Sequence, residues 1–560
     1  MTRKLSVFAI ISCCLVFMQA GPVLAQGTPS IESLQEQIKA LQEQSQRQIK
    51  ALQDQVDALK AAQEKQAEEA AQAQAARAAA PAPVAEAASE AGAGKTMFTN
   101  TAVKVTLGGY LAMTGIYRDR YTGSDNNSKW NINGASGSGG IPLPNSPNYY
   151  MDEVRGSARA TRLSLLAEGK EDYAALSGYT EVDFLGGAGT SSANSQSTNG
   201  YFPRIRQLWG AYDTAGGWHL LAGQAFTLLT LNSQGIIPRK ELLPIVVDNT
   251  YVPGFTYARQ PQVRLVKDFG DGVWLGMALE NPQVVIAQGG LASGTQGAPT
   301  LPTSAASYTG ALLGTGNAFY DVSTTNNSNL PSSLSLDQFP DITAKVALDP
   351  GFGHYEGYGI ARFFTDRTLI AGNRSNETTE GWGLGVGVSL PLVPKYLDFE
   401  TSFLGGEGIG RYGAAGLFDA VVNPITGQLD PIREIQFLVG AVLHATPLLD
   451  VYSYAGIEKE SRRDEYSKNG AYGGFGTAAF APATLGTEGL TGGSTTFASG
   501  NFAQVASIQQ IIIGAWYSFY KGKYGLMNVG VSDAYTHGVI FGLGAENMNT
   551  IMACIRYYPF

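Results

Sequence analysis

From about Ala102 to the C-terminus, apolar and polar residues alternate in short segments, and no long apolar run interrupts the pattern. In the first segment Val103, Val105 and Leu107 occupy every second position. Strict alternation places apolar side chains on one face of a β-strand and polar side chains on the other. Because the pattern recurs about 16 times between turn residues, the sequence predicts an all-β domain over residues 101–560.

The connections between these segments alternate in length. Short turns such as GDG at 270–272 and KGK at 521–523 alternate with long loops such as 283–338 and 461–506. Outer-membrane barrels have this arrangement and an even number of antiparallel strands, each needing only about 9–11 residues to cross the bilayer. The sequence therefore predicts a transmembrane β-barrel of about 16 antiparallel strands. A soluble two-sheet sandwich is the alternative, but it does not sort its loops by length in this way.

The first 25 residues differ in composition from the rest. Residues 1–25 begin with two basic residues, continue with an apolar stretch and end in small residues at Ala25, which is typical of a secretory signal peptide. A membrane anchor is the alternative, but it needs about 20 apolar residues. Cleavage removes Cys13 and Cys14 and leaves Cys554 alone, so no disulfide framework is expected.

Residues 26–80 have a helical period. Ile31, Leu34 and Ile38 recur at steps of three and four residues, with Gln, Glu and Ser between them. A single helix would have no partner for this apolar stripe, so we expect an α-helical coiled coil in the periplasm, with a solvated single helix as the alternative. The Ala/Pro/Gly-rich residues 81–100 are expected to form a linker to the barrel.

The chain ends in the strand pattern IMACIRYYPF, in which Ile551, Ala553 and Ile555 share one face. A terminal strand leaves an unpaired edge unless it pairs with another strand. We therefore expect it to close the barrel against the first segment, near 102–118. The aromatic Phe560 is expected to be the signal that the barrel-assembly machinery reads in many bacterial barrels.

The sequence shows no catalytic or metal-binding constellation. An enzymatic barrel would need a Ser/His/Asp-like set within hydrogen-bond reach, and none is apparent. We therefore expect no enzyme activity, no metal, no cofactor and no nucleic-acid partner. The four histidines lack carboxylate or cysteine neighbours at the spacing of metal ligands: His219, His354, His444 and His537.

The phase of each strand predicts which charges point into the lumen, because a charge facing lipid costs about 2–4 kcal/mol at the midplane. Leu163 and Leu165 face outward, for example, so Arg162 faces inward. Most Trp and Tyr residues, Trp209 among them, fall in the outward phase or at segment ends. The predicted pore-lining charges are Arg162, Glu181, Asp183, Arg204, Arg206, Arg264, Lys345 and Arg362.

The connection at 230–256 follows the fifth segment, where general porins fold a loop inward to form the constriction. If this loop folds inward, arginines on the wall face it across a narrow gap, where a lower dielectric strengthens their attraction for carboxylates. The alternative is that its charges bind lipopolysaccharide or one another. The candidate constriction residues are Arg239, Lys240, Glu241 and Asp248.

Short blocks spread over residues 100–560 resemble a known family. They are GGYLAMTG at 108–115, SARATRLSL at 157–165, AGQAFTLL at 222–229, ARQPQVRL at 258–265, GEGIGRY at 406–412 and the terminal RYYPF. With the N-terminal coiled-coil pattern, they resemble the DcaP-like porins of Gram-negative outer membranes. The resemblance implies a trimer of 16-stranded barrels, a periplasmic coiled coil and passive uptake of small anions, including dicarboxylates.

The sequence therefore predicts an anion-preferring porin of the bacterial outer membrane, in contact with lipid and lipopolysaccharide. Two alternatives are an envelope tether whose coiled coil engages peptidoglycan, and a sugar-specific channel, which needs a file of lumenal aromatic side chains. Arginine stays charged and grips a carboxylate at two points. Replacing Arg204 and Arg206 with Ala is expected to lower anion preference and to leave folding intact, because lumenal positions are expected to be solvated.

Overall fold

The computed structural model describes most of the predicted barrel and little of the residues before it. The predicted signal at 1–25, and all but a few residues of the predicted coiled coil at 26–80 and linker at 81–100, lie outside the described residues. The described residues are 39, 43, 46, 50, 53, 95–99, 103–122, 130, 140–142, 147–186, 201–249, 252–287, 290–292, 306–308, 318–321, 337–370, 373–423, 428–463, 466–468, 471–476, 505–541 and 544–560.

Sixteen antiparallel strands in these residues form a closed barrel, which confirms the predicted barrel part of the fold. Strand β2 is broken into two parts that both pair with β1. In chain order the strands are β1 Lys104–Arg118, β2 Glu153–Ser157 and Arg162–Lys170, β3 Ala174–Gly186, β4 Phe202–Thr214, β5 Trp218–Phe226, β6 Arg259–Asp268, β7 Val273–Glu280, β8 Asp341–Leu348, β9 His354–Ile370, β10 Asn373–Val393, β11 Leu397–Glu407, β12 Arg433–Thr446, β13 Leu449–Glu460, β14 Val505–Gly522, β15 Gly525–Ile540 and β16 Gly544–Tyr558.

The last strand closes the barrel against the first, as predicted. Strand β16 pairs with β1 from Leu111 opposite Tyr557 to Arg118 opposite Thr550. Phe560 lies two residues beyond the end of β16. Its role as an assembly signal stays a prediction.

Shorter elements accompany the barrel. Lys95–Thr99, within the predicted linker, forms a strand that pairs with the beginning of β1. No helix among the described residues is both long enough and apolar enough to cross a membrane. The remaining elements are the strands Ile286–Ala287, Gly290–Ala292, Ala306–Tyr308, Ala318–Asp321, Ala420–Val422, Leu429–Pro431, Tyr466–Lys468 and Ala471–Gly474, and the 3-10 helices Pro147–Tyr150 and Gly410–Tyr412.

The outer face of the barrel is apolar. Leu111, Met113, Ile511 and Ile513 are among the large side chains exposed on it. A ring of exposed aromatic side chains also lies beside the short turns at one end of the barrel, as in the aromatic girdles of outer-membrane barrels. These aromatic residues are Tyr173, Trp218, Phe269, Phe352, Tyr396 and Tyr524.

Two long connections contact the inside of the wall. We call residues 227–258, between β5 and β6, the first inner loop, and residues 408–432, between β11 and β12, the second inner loop. The first inner loop crosses to the opposite wall, where Trp516 Nε1 donates to the Ile245 carbonyl at 2.6 Å. The two loops also pair with each other through an antiparallel bridge between Thr256 and Gly413.

The first inner loop carries an apolar surface that packs against aromatic side chains of the wall. Ile245, Val247 and Phe255 of the loop belong to one buried cluster with wall aromatics. The prediction that Trp and Tyr residues mostly face outward is therefore wrong for a large group of them, because the loop supplies an apolar partner inside the barrel. The buried wall aromatics in this cluster are Tyr110, Tyr452, Tyr454, Trp516 and Tyr558.

Candidate functional site: a basic cavity beside the first inner loop

A small cavity of about 20 Å³ lies between the first inner loop and one side of the barrel wall. The wall contributes three guanidinium groups, those of Arg162, Arg206 and Arg556, together with the carboxylate of Asp183. The loop contributes mainly apolar residues of the 243–249 segment, and Asp248 is its charged residue there. Basic side chains therefore outnumber acidic ones around the cavity.

An ion-pair network on β3 and β4 forms part of this wall. Arg206 donates to Glu181 and, through Nη1, to Asp183 Oδ2 at 3.2 Å. Arg204 binds both oxygens of Asp183, at 3.0 and 2.7 Å. The side chains of Arg206 and Glu181 are only 1% and 0% exposed. The expectation that these lumenal positions are solvated is wrong for Arg206, because it is buried together with its carboxylate partners.

A β-bulge places Arg206 in this network. Glu181 pairs with Gln207, but the next residue, Val182, pairs with Ile205, so Arg206 is the extra residue on β4. Arg206 and Gln207 are consequently both buried, and the phase reverses beyond them. The outward assignment of Trp209 is wrong for this reason, since it is buried and its Nε1 donates to Gln207 at 3.2 Å.

Four arginines in and beside this network act on a nearby tyrosine, Tyr257. Arg259 stacks 4.9 Å from the ring centroid of Tyr257 and donates to its hydroxyl at 3.1 Å. Burial tends to raise the pKa of Tyr257, but the charges of Arg259, Arg206, Arg204 and Arg162 outweigh burial and lower that pKa. The same positive charges that stabilise the Tyr257 anion would also stabilise a carboxylate close by.

The phase analysis missed two arginines of this region. Arg556 donates to the Val247 carbonyl at 2.7 Å and stacks 4.8 Å from the Tyr110 ring centroid. Its inward phase was available from the sequence, because it alternates with the outward Ile555. Arg259 is harder to find, because it is the first residue of β6. The alternation of apolar and polar residues does not show whether a residue at the end of a strand faces inward or outward.

Three of the predicted pore-lining charges bind inner-loop residues or the backbone, away from the cavity. Arg264 is buried and donates to Gln262 at 3.0 Å and to the Phe226 carbonyl. Lys345 pairs with Glu356 at 2.8 Å and donates to the Thr230 carbonyl at 2.6 Å.

Arg362 holds the second inner loop in the same manner. It binds Asp341 at 3.1 Å, Asp419 at 2.7 Å and the Gly408 carbonyl. Burial raises the pKa of Asp419, and Arg362 and Arg411 act in the opposite direction. The charge of Arg362 therefore serves to hold the loop.

Only one of the four predicted constriction charges, Asp248, lines the cavity. Arg239 lies over the ring of Tyr179, 5.0 Å from its centroid, and the backbone of Lys240 accepts a hydrogen bond within the loop. Glu241 is buried, and burial raises its pKa against the opposing effect of Arg264 and Lys345. Four of the six loop residues that line the cavity are apolar, and the other two are Asp248 and Asn249.

Residues of the second inner loop were also missed. Tyr412 donates to Asp341 at 2.8 Å, and Arg411 binds Gln283 Oε1 at 3.1 Å, the Asn281 carbonyl at 3.1 Å and Gln260. Both residues belong to the GEGIGRY block. That block was the available signal, but spacing along the chain does not indicate these long-range partners.

Three histidines have carboxylate partners, which corrects the sequence prediction. In the part of the chain that the structure describes, no group of three or more His, Cys, Asp or Glu residues is arranged to hold a metal. The contacts are His219 with Asp213 at 2.8 Å, His354 with Asp349 at 2.6 Å and Glu356 at 2.9 Å, and His444 with Asp450 at 2.7 Å and Asp398 at 3.2 Å.

Solved structures of outer-membrane channels share this barrel. The outer membrane channel DcaP of Acinetobacter baumannii superposes with a TM-score of 0.52 at 16% identity, over 83% of this chain and 99% of that one. OmpF of Salmonella typhi in complex with daunomycin gives 0.41 at 11% identity, over 82% and 99%. An anion-selective porin from Comamonas acidovorans gives 0.39 at 9% identity, over 81% and 99%.

No protein-family model matches the chain, and no curated protein matches it. At these identities the likeness establishes the fold: a 16-stranded barrel of the type found in outer-membrane channels. The resemblance of the sequence blocks to the DcaP-like porins is confirmed at the level of that fold.

Proposed function

We propose that this protein is an outer-membrane porin through which small hydrophilic solutes diffuse passively, with a preference for small anions such as dicarboxylates. The observation that carries the proposal is the cavity wall, where Arg162, Arg206 and Arg556 face the apolar 243–249 segment. The apolar exterior and its aromatic girdle fit an outer-membrane location, in contact with lipid and lipopolysaccharide.

The inner loops make this cavity the expected constriction. The first inner loop packs on the aromatic side chains of β13, β14 and β16, and the cavity lies between the same loop and charged residues of β2 to β4 and β16. Selectivity is set at the narrowest point, where a few charges act at short range. The overall acidic charge of −9 therefore does not oppose a preference for anions.

Arginine suits a dicarboxylate because one guanidinium can bind both oxygens of a carboxylate. Arg206 is already paired with the buried Glu181 and Asp183, so little of its charge is left to act on a passing solute. Arg162 is less buried and stacks 5.6 Å from the Tyr110 ring centroid at the cavity wall. We infer that Arg162 is the guanidinium closest to passing solutes.

A sugar-specific channel is less well supported, because the lumenal aromatics of the main cluster are packed beneath the first inner loop. The tether alternative depends on residues 26–80, most of which lie outside the described part of the chain. We propose a homotrimer by analogy with the DcaP-like porins that the sequence blocks resemble.

Planar-bilayer recording in a salt gradient tests the proposal. We expect conductance in three equal steps and a reversal potential that indicates anion preference. Arg162→Gln is expected to lower the anion permeability ratio about threefold, which is the effect of one charge about 7 Å away at the dielectric of water. The matched control Lys170→Gln removes an exposed charge from the same strand and is expected to change little. If folded protein in the bilayer gives no current, the proposal that this protein is a porin is refuted.

A further inference from the structure

One carboxylate oxygen connects both inner loops to the barrel wall. Glu458 Oε1 accepts a hydrogen bond from the Gly254 amide of the first inner loop at 2.7 Å. The same oxygen accepts one from the Ala415 amide of the second inner loop at 3.0 Å. Glu458 lies on β13 and is 0% exposed. Each loop therefore has a backbone amide bound to the same point of the wall.

The loops lie directly on the backbone of β12 and β13 around this point. A Cβ atom added to Gly254 would lie 2.0 Å from the Phe437 carbonyl oxygen, and one added to Gly456 would lie 1.9 Å from the Pro253 carbonyl oxygen. A Cβ on Gly413 would lie 2.3 Å from Glu458 Oε2. Real Cβ atoms do not approach this closely, so no solute passes between the loops and this part of the wall.

The loops are also joined to each other next to Glu458. The Tyr257 amide donates to the Tyr412 carbonyl at 2.8 Å, and the Ala414 amide donates to the Phe255 carbonyl at 2.9 Å. Together with the bridge between Thr256 and Gly413, these bonds form a short two-stranded ladder across the two loops. Movement of one loop is thereby coupled to movement of the other.

We propose that the two inner loops move as one unit, which we call the diaphragm and which closes this side of the lumen. We further propose that Glu458 is the positioning residue that fixes the diaphragm to β12 and β13. Holding the diaphragm on this side confines the solute path to the basic cavity on the other side. The inference deepens the proposed porin function and rests on it for its electrical consequence only. The hydrogen bonding itself can be measured without any channel activity.

Losing the acceptor would leave two buried amides without their partner, which disfavours the docked position of both loops. In the full-length protein we expect Glu458→Ala to increase amide hydrogen exchange in peptides covering 252–258 and 411–420, by about tenfold or more. Glu546→Ala is the matched control, because it removes a buried wall carboxylate on β16, which pairs with β1 and β15 and not with β12 or β13. Exchange in these peptides is expected to match the wild type in that control.

Glu458→Gln keeps an acceptor oxygen at this position, and its exchange is expected to lie between those of the wild type and the alanine variant. It also serves as the test variant if the alanine variant does not fold. Wild-type exchange in Glu458→Ala, or equally fast exchange in the glutamine and alanine variants, would overturn the role of Glu458 as a hydrogen-bonded anchor.

The electrical consequence is measured in the same variants. Glu458→Ala is expected to raise single-channel conductance and to lower anion preference, because solutes gain a path away from the arginines. Unchanged conductance and selectivity despite faster exchange would refute the diaphragm. If the wild-type protein is silent, the porin proposal fails, and hydrogen exchange still decides the role of Glu458.

Discussion

The two sides of this lumen use the same kinds of charged residues differently. On the β3 and β4 side, Arg206 lies in a buried ion-pair network that lines the cavity. On the β8 and β9 side, Lys345 and Arg362 bind carboxylates together with carbonyl groups of the inner loops. An inward charge therefore lines the cavity on one side and anchors a loop on the other. The difference lies in whether loop backbone completes the coordination of the cation.

The largest expected effect tests the anchoring side. Arg362→Ala removes the cation closest to the buried Asp341 and Asp419 and leaves Asp341 with only the longer contact to Arg411 at 3.4 Å. Removing one partner of a buried ion pair costs about 3–5 kcal/mol, because a buried charge is left uncompensated. We expect the free energy of unfolding, measured by urea titration of refolded barrels, to fall by about that amount.

Arg162→Ala is the comparison on the cavity side, since Arg162 is only partly buried. Its free energy of unfolding is expected to fall by less than about 1 kcal/mol. Equal losses in the two variants would contradict the division of the lumen into an anchoring side and a permeation side.

Two glycines allow a loop that packs against the wall to be compared with a turn that has no such contact. Gly254 and Gly270 both have positive φ, at 82° and 79°, but only Gly254 faces an obstructing carbonyl. A Cβ in this conformation costs about 1–2 kcal/mol in either place. Gly254→Ala is expected to lower thermal stability more than Gly270→Ala, because the first inner loop must also move away from β12.

The difference between the two melting temperatures measures how tightly the first inner loop is seated on the wall. The Gly270 turn has nothing within 4 Å of the added Cβ, so its variant reports conformational strain alone. Equal melting temperatures would show that the loop can shift without cost.

The sequence predicts the wall of this molecule far better than its interior. The alternation of apolar and polar residues correctly assigned Arg264, Lys345 and Arg362 to the inner face. This was possible because the two-residue repeat of a strand depends only on neighbouring residues. The alternation failed at Trp209, where one extra residue in β4 reverses the phase. It could not assign roles, since the partners of Arg362 lie up to 79 residues away along the chain.

The inner loops were the least predictable part. The 230–256 segment could be singled out by its position after the fifth strand, yet three of its four charged residues contact the loop or the wall away from the cavity. The second inner loop gave no periodic signal, because residues such as Tyr412 and Ala415 are buried by contacts with the other loop and the wall. Such contacts depend on how two distant segments meet, which no local pattern encodes.

A smaller expected effect concerns ionic strength. If anion preference comes from arginines acting through water in the cavity, it should weaken as salt shortens the Debye length from about 10 Å at 0.1 M to about 3 Å at 1 M. We expect the anion permeability ratio from reversal potentials to fall over this range. A ratio independent of salt would indicate direct binding of the anion instead of long-range attraction.

The central claim is that solutes pass through the cavity beside β1 to β4, and blocking that cavity tests it most directly. Ala160 lines the cavity, whereas Thr446 is exposed at the end of β12 and does not line it. In a Cys554→Ser background, Ala160→Cys is to be treated with an anionic methanethiosulfonate reagent during bilayer recording, with Thr446→Cys, modified and verified in the same way, as the control. The account predicts a stepwise loss of current for Ala160→Cys and none for the control. Full current through an Ala160→Cys channel whose modification is verified by mass spectrometry would contradict it.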